Sequence, residues 1–435
     1  MTSPRVLFLC HEPFSSVGSN GKTYESIFKN FADAEVLTVY VNHGLPSSKK
    51  FTNYFRINDF DIIRGFLRFD FSNCGSKVNN QQVSRLEAKP TNKSHLRGEV
   101  IKWGRTLLFS LFPLSKATKL HQVIQDFKPT VLFVSGSGGI LTYKMLQFIA
   151  KKYELPYYIY FTDDYFIHNN GINWLYKALH EYFVSYAKPI VERASGLFVI
   201  SPKLKQEYSS YFNLPAHVLI NAIEKPQTPV EPLEPTQGQP IVFRYFGWLH
   251  SHRSSSLKIL NTYLQRLIEL HQLPIQVEIF SLSVLDEQMK QDLDFPFVSV
   301  LNPVMGDEFI QKVNSSHFLI HAESFHAEDM KITMSSISTK IPEYCISGRC
   351  IVAVGPSELA SIQVIQHHDA GIVINTPQYQ IDLQHSLLEV ISSKEKYLYF
   401  CKNADEAYEI HFNAQHMRQN LRNILSDSSN KQYEK

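Results

Sequence analysis

A lysine and a carboxylate three residues apart, Lys340 and Glu343, stand in the stretch Ser338-Thr-Lys-Ile-Pro-Glu-Tyr-Cys-Ile-Ser-Gly-Arg-Cys-Ile-Val-Ala-Val-Gly-Pro356. The pattern predicts a polar loop, a helix over 341–347 ending at Gly348, and a β-branched strand over 351–354. One helical turn separates Lys340 from Glu343, so both side chains can face one crevice. A helix N-terminus near Thr339 beside a cation favours a diphosphate, and a nearby carboxylate suits ribose hydroxyls. These residues read as half of a nucleotide site in an open α/β sheet.

Four further segments carry chemistry-bearing residues at predicted strand ends. Phe246-Gly-Trp-Leu-His-Ser-His-Arg253 holds Gly247, which lets backbone approach a ligand, and Arg253, placed to clamp phosphate before a helix. His250 and His252 lack the matching carboxylate or cysteine of a metal site and read as solvated loop residues. His321-Ala-Glu-Ser-Phe-His-Ala-Glu328 offers Glu323 or Glu328 to sugar hydroxyls. Phe161-Thr-Asp-Asp-Tyr-Phe-Ile-His168 ends a strand with Asp163 and Asp164; either could orient an acceptor hydroxyl, and either could instead cap the next helix. The loop His11 to Thr23 ends in Gly-Lys-Thr like a P-loop, but Ser16 stands where the first glycine belongs. A flexible loop carrying Gly18, Asn20 and Gly21 beside an acceptor or phosphate is the better reading.

Strands and helices alternate along both halves of the 435 residues, enough chain for two cores. Residues 1–223 read as one Rossmann-like domain with a basic insertion over 42–120. Residues 224–240, with five prolines, read as a linker. Residues 241–400 form a second Rossmann-like domain, and 401–435 a C-terminal helix with a disordered polar tail. The architecture expected is α/β, two doubly wound domains facing a cleft, which is the default ligand site.

The composition, 44% hydrophobic and 19% charged, is that of a soluble globular protein. Five scattered cysteines without a Cys-x-x-Cys pair suggest neither disulfides nor zinc. The N-terminus resembles no signal peptide, and the most apolar stretch, 106–115, is far short of a membrane span. A cytoplasmic protein is expected. The net charge of +2 conceals 14 Lys or Arg against 5 Asp or Glu within 42–120. Interleaved with Phe, Leu and Ile, that charge suits an anionic membrane surface or a lipid-phosphate acceptor, which would make the protein peripheral on the inner membrane face. A solvated, partly disordered insertion is the alternative.

In this order the motifs resemble retaining glycosyltransferases of the GT-B fold, of the kind grouped as family 4. The resemblance runs through Lys128-Pro-Thr-Val-Leu-Phe-Val-Ser, Leu155-Pro-Tyr-Tyr-Ile-Tyr-Phe-Thr-Asp-Asp, Ala194-Ser-Gly-Leu-Phe-Val-Ile-Ser-Pro, Val218-Leu-Ile-Asn-Ala-Ile-Glu and the stretch around Glu343. It implies that Glu343 holds the nucleotide ribose and that Arg253 stands where the family places a phosphate-binding lysine. Trp248 occupies the place of a usual arginine, with Lys340 as its stand-in. Ser335 falls where the family's first motif glutamate belongs, with Glu323 or Glu328 as substitutes. The implied reaction moves a sugar from a nucleoside diphosphate sugar to a glycan or lipid-linked hydroxyl acceptor with retention, in surface polysaccharide or glycolipid synthesis. The departing phosphate oxygen takes the acceptor proton, Asp163 or Asp164 positions the acceptor, and no metal cofactor is expected. Nucleic acid is not among the expected partners. A nucleotide-sugar epimerase and an inactive transferase-like subunit binding a partner or membrane are the alternatives.

Overall fold

The computed structural model describes residues 3–15, 19–41, 44–80, 104–106, 108–137, 139–167, 174–220, 223–226 and 230–433. The chain divides into two compact units, Met1–Ala222 with Ala414–Lys435, and Ile223–Asn413.

The first unit is built on eight strands: β1 (Val6–Cys10), β2 (Val36–Tyr40), β3 (Tyr54–Arg56), β4 (Ser76–Val78), β5 (Val131–Ser135), β6 (Tyr157–Phe161), β7 (Gly196–Val199) and β8 (Ala216–Val218). Their order is β4-β3-β2-β1-β5-β6-β7-β8. All pairs are parallel except β3 with the edge strand β4. The parallel strands are continuous apolar runs because helices cover both faces of such a sheet. Phenylalanine dominates the core: the Phe8 ring lies 5.1 Å from Phe28 and 5.8 Å from Phe133. Part of the basic insertion is folded into this unit. β3 extends the sheet in parallel with β2, and the helix Asp59–Arg68 follows it. Residues 81–103, the rest of that basic stretch, lie outside the described residues.

The expected disordered tail is corrected. Residues 414–433 form one helix, and Leu421 and Leu425 are fully buried in the first unit's core. Arg422 reaches Glu35 at 2.8 Å, and Ser429 Oγ meets Thr130 Oγ1 at 2.9 Å. The expected helix reaches Leu425, and its last turns, with almost no apolar residues, read as a polar tail until their partner is known.

The second unit carries β9 (Ile241–Phe246), β10 (Ile275–Phe280), β11 (Val298–Leu301), β12 (Phe318–Ala322), β13 (Cys350–Val354) and β14 (Gly371–Ile374). They run in the order β11-β10-β9-β12-β13-β14, every pair parallel. This is the doubly wound order that reverses direction between its first and fourth strands, here β9 and β12. From residue 230 on, the proline-rich stretch is not a loose linker. Arg349 Nη1 donates to the Glu231 carbonyl at 2.6 Å, and Lys394 pairs with Glu234 at 2.5 Å. Gly348, at φ 64°, lets Val230 pass so closely that a Cβ would lie 2.7 Å from its oxygen. The segment is a strap on the second unit.

Candidate active site

Reversal of strand order between β9 and β12 leaves a crevice at their carboxyl ends, into which the loops after both strands lead. The loop after β9 is held by Tyr245 Oη donating to the Trp248 carbonyl at 2.7 Å and Ser283 Oγ accepting from Leu249 N at 2.9 Å. A Cβ on Gly247 would come within 2.9 Å of Tyr245 Oη, so a side chain there would push the tyrosine hydroxyl aside. Ser251 and His252 then take consecutive left-handed conformations, φ 57° and 54°. Such strain costs about 1–3 kcal/mol per residue and collects at functional sites. The 19-residue helix Arg253–His271 begins there, and no side chain caps its N-terminus. Its first backbone N–H groups form an anion-binding end.

Arg253 opens that helix and donates through Nη2 to Glu323 Oε2 at 3.1 Å. Glu323, 4% exposed, also has His321 Nε2 3.4 Å from its other oxygen. Burial by itself raises a carboxyl pKa. The charges and hydrogen bonds of His321 and then Arg253 outweigh it, and they hold Glu323 below the usual carboxylate range. Gly355, after β13, makes room: a Cβ there would lie 2.9 Å from the Glu323 Cβ. Ser256 Oγ donates to the Glu323 carbonyl at 2.6 Å. The two substitutes that the sequence left open stand in different surroundings. Glu328 is an exposed helical residue paired with Lys331 at 2.9 Å, and Glu323 is the one at the strand crossover.

His252 Nδ1 lies 2.7 Å from Asp329 Oδ2, which also accepts from Ser324 Oγ at 2.8 Å. The His252 ring stacks on His326 at 3.7 Å. These histidines brace the strained turn, a role that their sequence spacing did not disclose.

Lys340 begins the helix Lys340–Cys345, one residue earlier than expected, and Thr339 provides no side-chain cap. The lysine sits 4.1 Å above the Phe309 ring, which packs 4.9 Å from Phe246 at the end of β9. This stack brings Lys340 to the same strand end as Arg253. Its Nζ lies 3.2 Å from Glu343 Oε2, so the two predicted site residues meet each other. Phe309 has no signature that the sequence could offer.

In the first unit the two acids after β6 separate. Asp164 Oδ1 accepts from Phe166 N and Ile167 N, both at 3.0 Å, and from Tyr208 Oη at 2.8 Å. It closes the turn. Asp163 is the more exposed, with Tyr165 Oη at 3.4 Å. The P-loop reading fails, because Gly21-Lys-Thr23 lies within the helix Ser19–Ile27 and not in a loop. Gly21 serves packing: a Cβ would meet Ser15 N at 2.7 Å. Asn20 is exposed on that helix, and Gly18 lies outside the described residues. Tyr24 Oη meets Ser135 Oγ at 2.7 Å, tying this helix to the end of β5. Among the described residues no group of three or more His, Cys, Asp or Glu is arranged to hold a metal ion.

Two Rossmann-like units in one chain, each with its crossover crevice, define the GT-B fold that the sequence resemblance implied. Solved structures share it over their whole length. The α,α-trehalose-phosphate synthase (UDP-forming) of Burkholderia xenovorans, in complex with glucose-6-phosphate, superposes with a TM-score of 0.56 at 10% identity, covering 97% of this chain and 100% of that one. The corresponding synthase of Burkholderia multivorans gives 0.60 at 9%, covering 99% and 98%. The E. coli trehalose-6-phosphate protein bound with UDP-2-fluoro glucose gives 0.57 at 9%, covering 98% and 99%. No protein-family model and no curated protein matches the sequence.

Proposed function

We propose that the protein is a retaining glycosyltransferase that moves a sugar from a nucleoside diphosphate sugar to a hydroxyl acceptor. The observation that carries this reading is Arg253, set at the uncapped N-terminus of a long helix and oriented by the buried, ionised Glu323. A leaving diphosphate gains negative charge as the glycosidic bond breaks. Arg253, the helix N–H groups and Lys340 stabilise that charge without reorganising, commonly the largest single contribution to such catalysis. Glu343 holds the ribose hydroxyls, Glu323 or its Arg253 partner meets the sugar, and Asp163 orients the acceptor on the first unit. The departing phosphate oxygen takes the acceptor proton, so the reaction needs neither a dedicated base nor a metal.

The structural neighbours favour a uridine donor. One is bound with UDP-2-fluoro glucose, and another structure of the same class addresses glycosyl transfer with retention. We assign the acceptor to the glycan or lipid-linked class, in surface polysaccharide or glycolipid synthesis, because the folded part of 42–120 is basic and apolar. A thermal-shift panel of UDP, GDP, ADP and CMP on the wild type and Arg253→Ala tests the reading. One nucleotide raising the melting temperature of the wild type alone is the expected outcome. No shift with any of them counts for the second reading, an inactive transferase-like subunit, which Trp248 and Ser335 at usual charged positions favour.

A further inference from the structure

We infer that the helix Asp59–Arg68 and the turn after it dock onto an anionic lipid bilayer. The helix has two apolar sides. Ile62 and Gly65 are buried, and Phe66 packs 5.0 Å from Phe71. Facing away from them, one turn apart, are Ile63 and Leu67, 41% and 78% exposed. Phe69, 90% exposed, follows in the left-handed conformation at φ 50°. Every other non-glycine residue with positive φ among the described residues is polar. A phenylalanine held there gains nothing from packing within the protein, which points to a partner outside it.

Charge selects that partner. Both acids of the first helical turn are engaged: Asp59 pairs with Arg105 at 2.9 Å, and Asp61 accepts from Asn58 N at 3.0 Å. Asp70, just beyond, accepts from Ser72 N at 2.9 Å. Arg64 and Arg68, one turn apart and exposed, flank Ile63 and Leu67, and Arg68 also attracts the exposed carboxylate of Asp70. Arginines bordering large apolar side chains match phosphate headgroups above acyl chains. Behind this face the buried Phe71 ring packs 5.8 Å from the buried Phe112, next to Leu111, which is 62% exposed. There Lys144, Lys151 and Arg193 line a pocket of about 790 Å³ with Phe112 and Leu114. The inference goes beyond the donor-site reading and stands without it.

Flotation of the full chain with vesicles of phosphatidylcholine, alone or with about a third phosphatidylglycerol, tests it. The wild type should float with the anionic vesicles and not with the neutral ones. Leu67→Gln with Phe69→Gln should weaken binding at least tenfold. Arg64→Gln with Arg68→Gln should weaken it about 25-fold, at about fivefold per charge. These side chains are exposed, so melting curves should match the wild type. Absence of wild-type flotation overturns the proposal, as does flotation unchanged in both variants. A dimer seen by light scattering and abolished by the apolar variant, without flotation, assigns the face to a second copy and likewise overturns it. Nucleotide binding in the same samples reports on the donor site separately, so failure of either reading is distinguishable.

Discussion

Arg253 and Glu323 meet at 3.1 Å where strand order reverses in the second unit, an arginine at a helix start against a buried glutamate at a strand end. Removing either partner leaves the other charge without compensation. Arg253→Ala, which leaves the buried Glu323 with His321 alone, should destabilise the second unit by about 3 kcal/mol, whereas Glu323→Ala leaves a partly exposed arginine and should cost less. Their effects on ligand separate differently. Arg253→Ala should weaken UDP binding by tenfold or more, and Arg253→Lys should restore only part of it because the fork is lost. Urea melts beside calorimetric titration give both quantities.

Acid should strip stability from the same unit. Burial alone would raise Glu323 and Asp292, but His321 and Arg253 for the former, and Ser255, Gln288, Ser254 and Lys258 for the latter, hold both below the carboxylate range. The unfolded chain therefore takes up protons first as pH falls. The stabilisation is complete above the unfolded values, about 4, and fades as pH drops through the folded ones. Urea midpoints should stay level from about pH 7 to about pH 5 and then fall. Glu323→Gln should lower the plateau and flatten the fall. An unchanged slope would mean that Glu323 is not ionised in the folded state.

The two aspartates after β6 should answer differently to mutation. Asp164→Ala strands two backbone N–H groups and Tyr208 Oη, so it should cost about 1–3 kcal/mol of stability. Asp163→Asn should change stability by less than about 0.5 kcal/mol. In transfer assays Asp163→Asn should lower the rate to acceptor and leave hydrolysis of the donor by water untouched. Equal loss of both activities would remove Asp163 from acceptor positioning.

The architecture was legible because buried parallel strands read as unbroken apolar runs, and the helix Ile140–Tyr153 emerges with the expected limits. The place of Arg253 at a helix start was legible too, from the glycine and the helix signal close by in sequence. The different surroundings of Glu323 and Glu328 were not, because they rest on Gly355 and Arg253, which only folding brings to β12. Nor was the platform of Lys340, since nothing in a lone Phe309 announces a cation above it. The last turns of the helix Ala414–Tyr433, beyond Leu425, were read as tail for a related reason. The helix's buried side consists of a few leucines and serines, and their partners lie at the opposite end of the chain.

Lys340 and Glu343, 3.2 Å apart and each about a third exposed, form a pair worth less than about 1 kcal/mol to folding. Their substitution should therefore report on ligand without unfolding the site. Glu343→Ala removes the carboxylate proposed to hold the ribose, and UDP affinity should fall by roughly tenfold or more, the worth of a charged hydrogen bond. Pyrophosphate, which has no ribose, should bind that variant at least as well as the wild type, because Lys340 has lost its counter-ion. Lys340→Ala should instead weaken UDP and pyrophosphate alike. Calorimetric titration of both ligands into the two variants resolves the division of labour. If Glu343→Ala weakened pyrophosphate as much as UDP, the carboxylate would act only by holding the lysine.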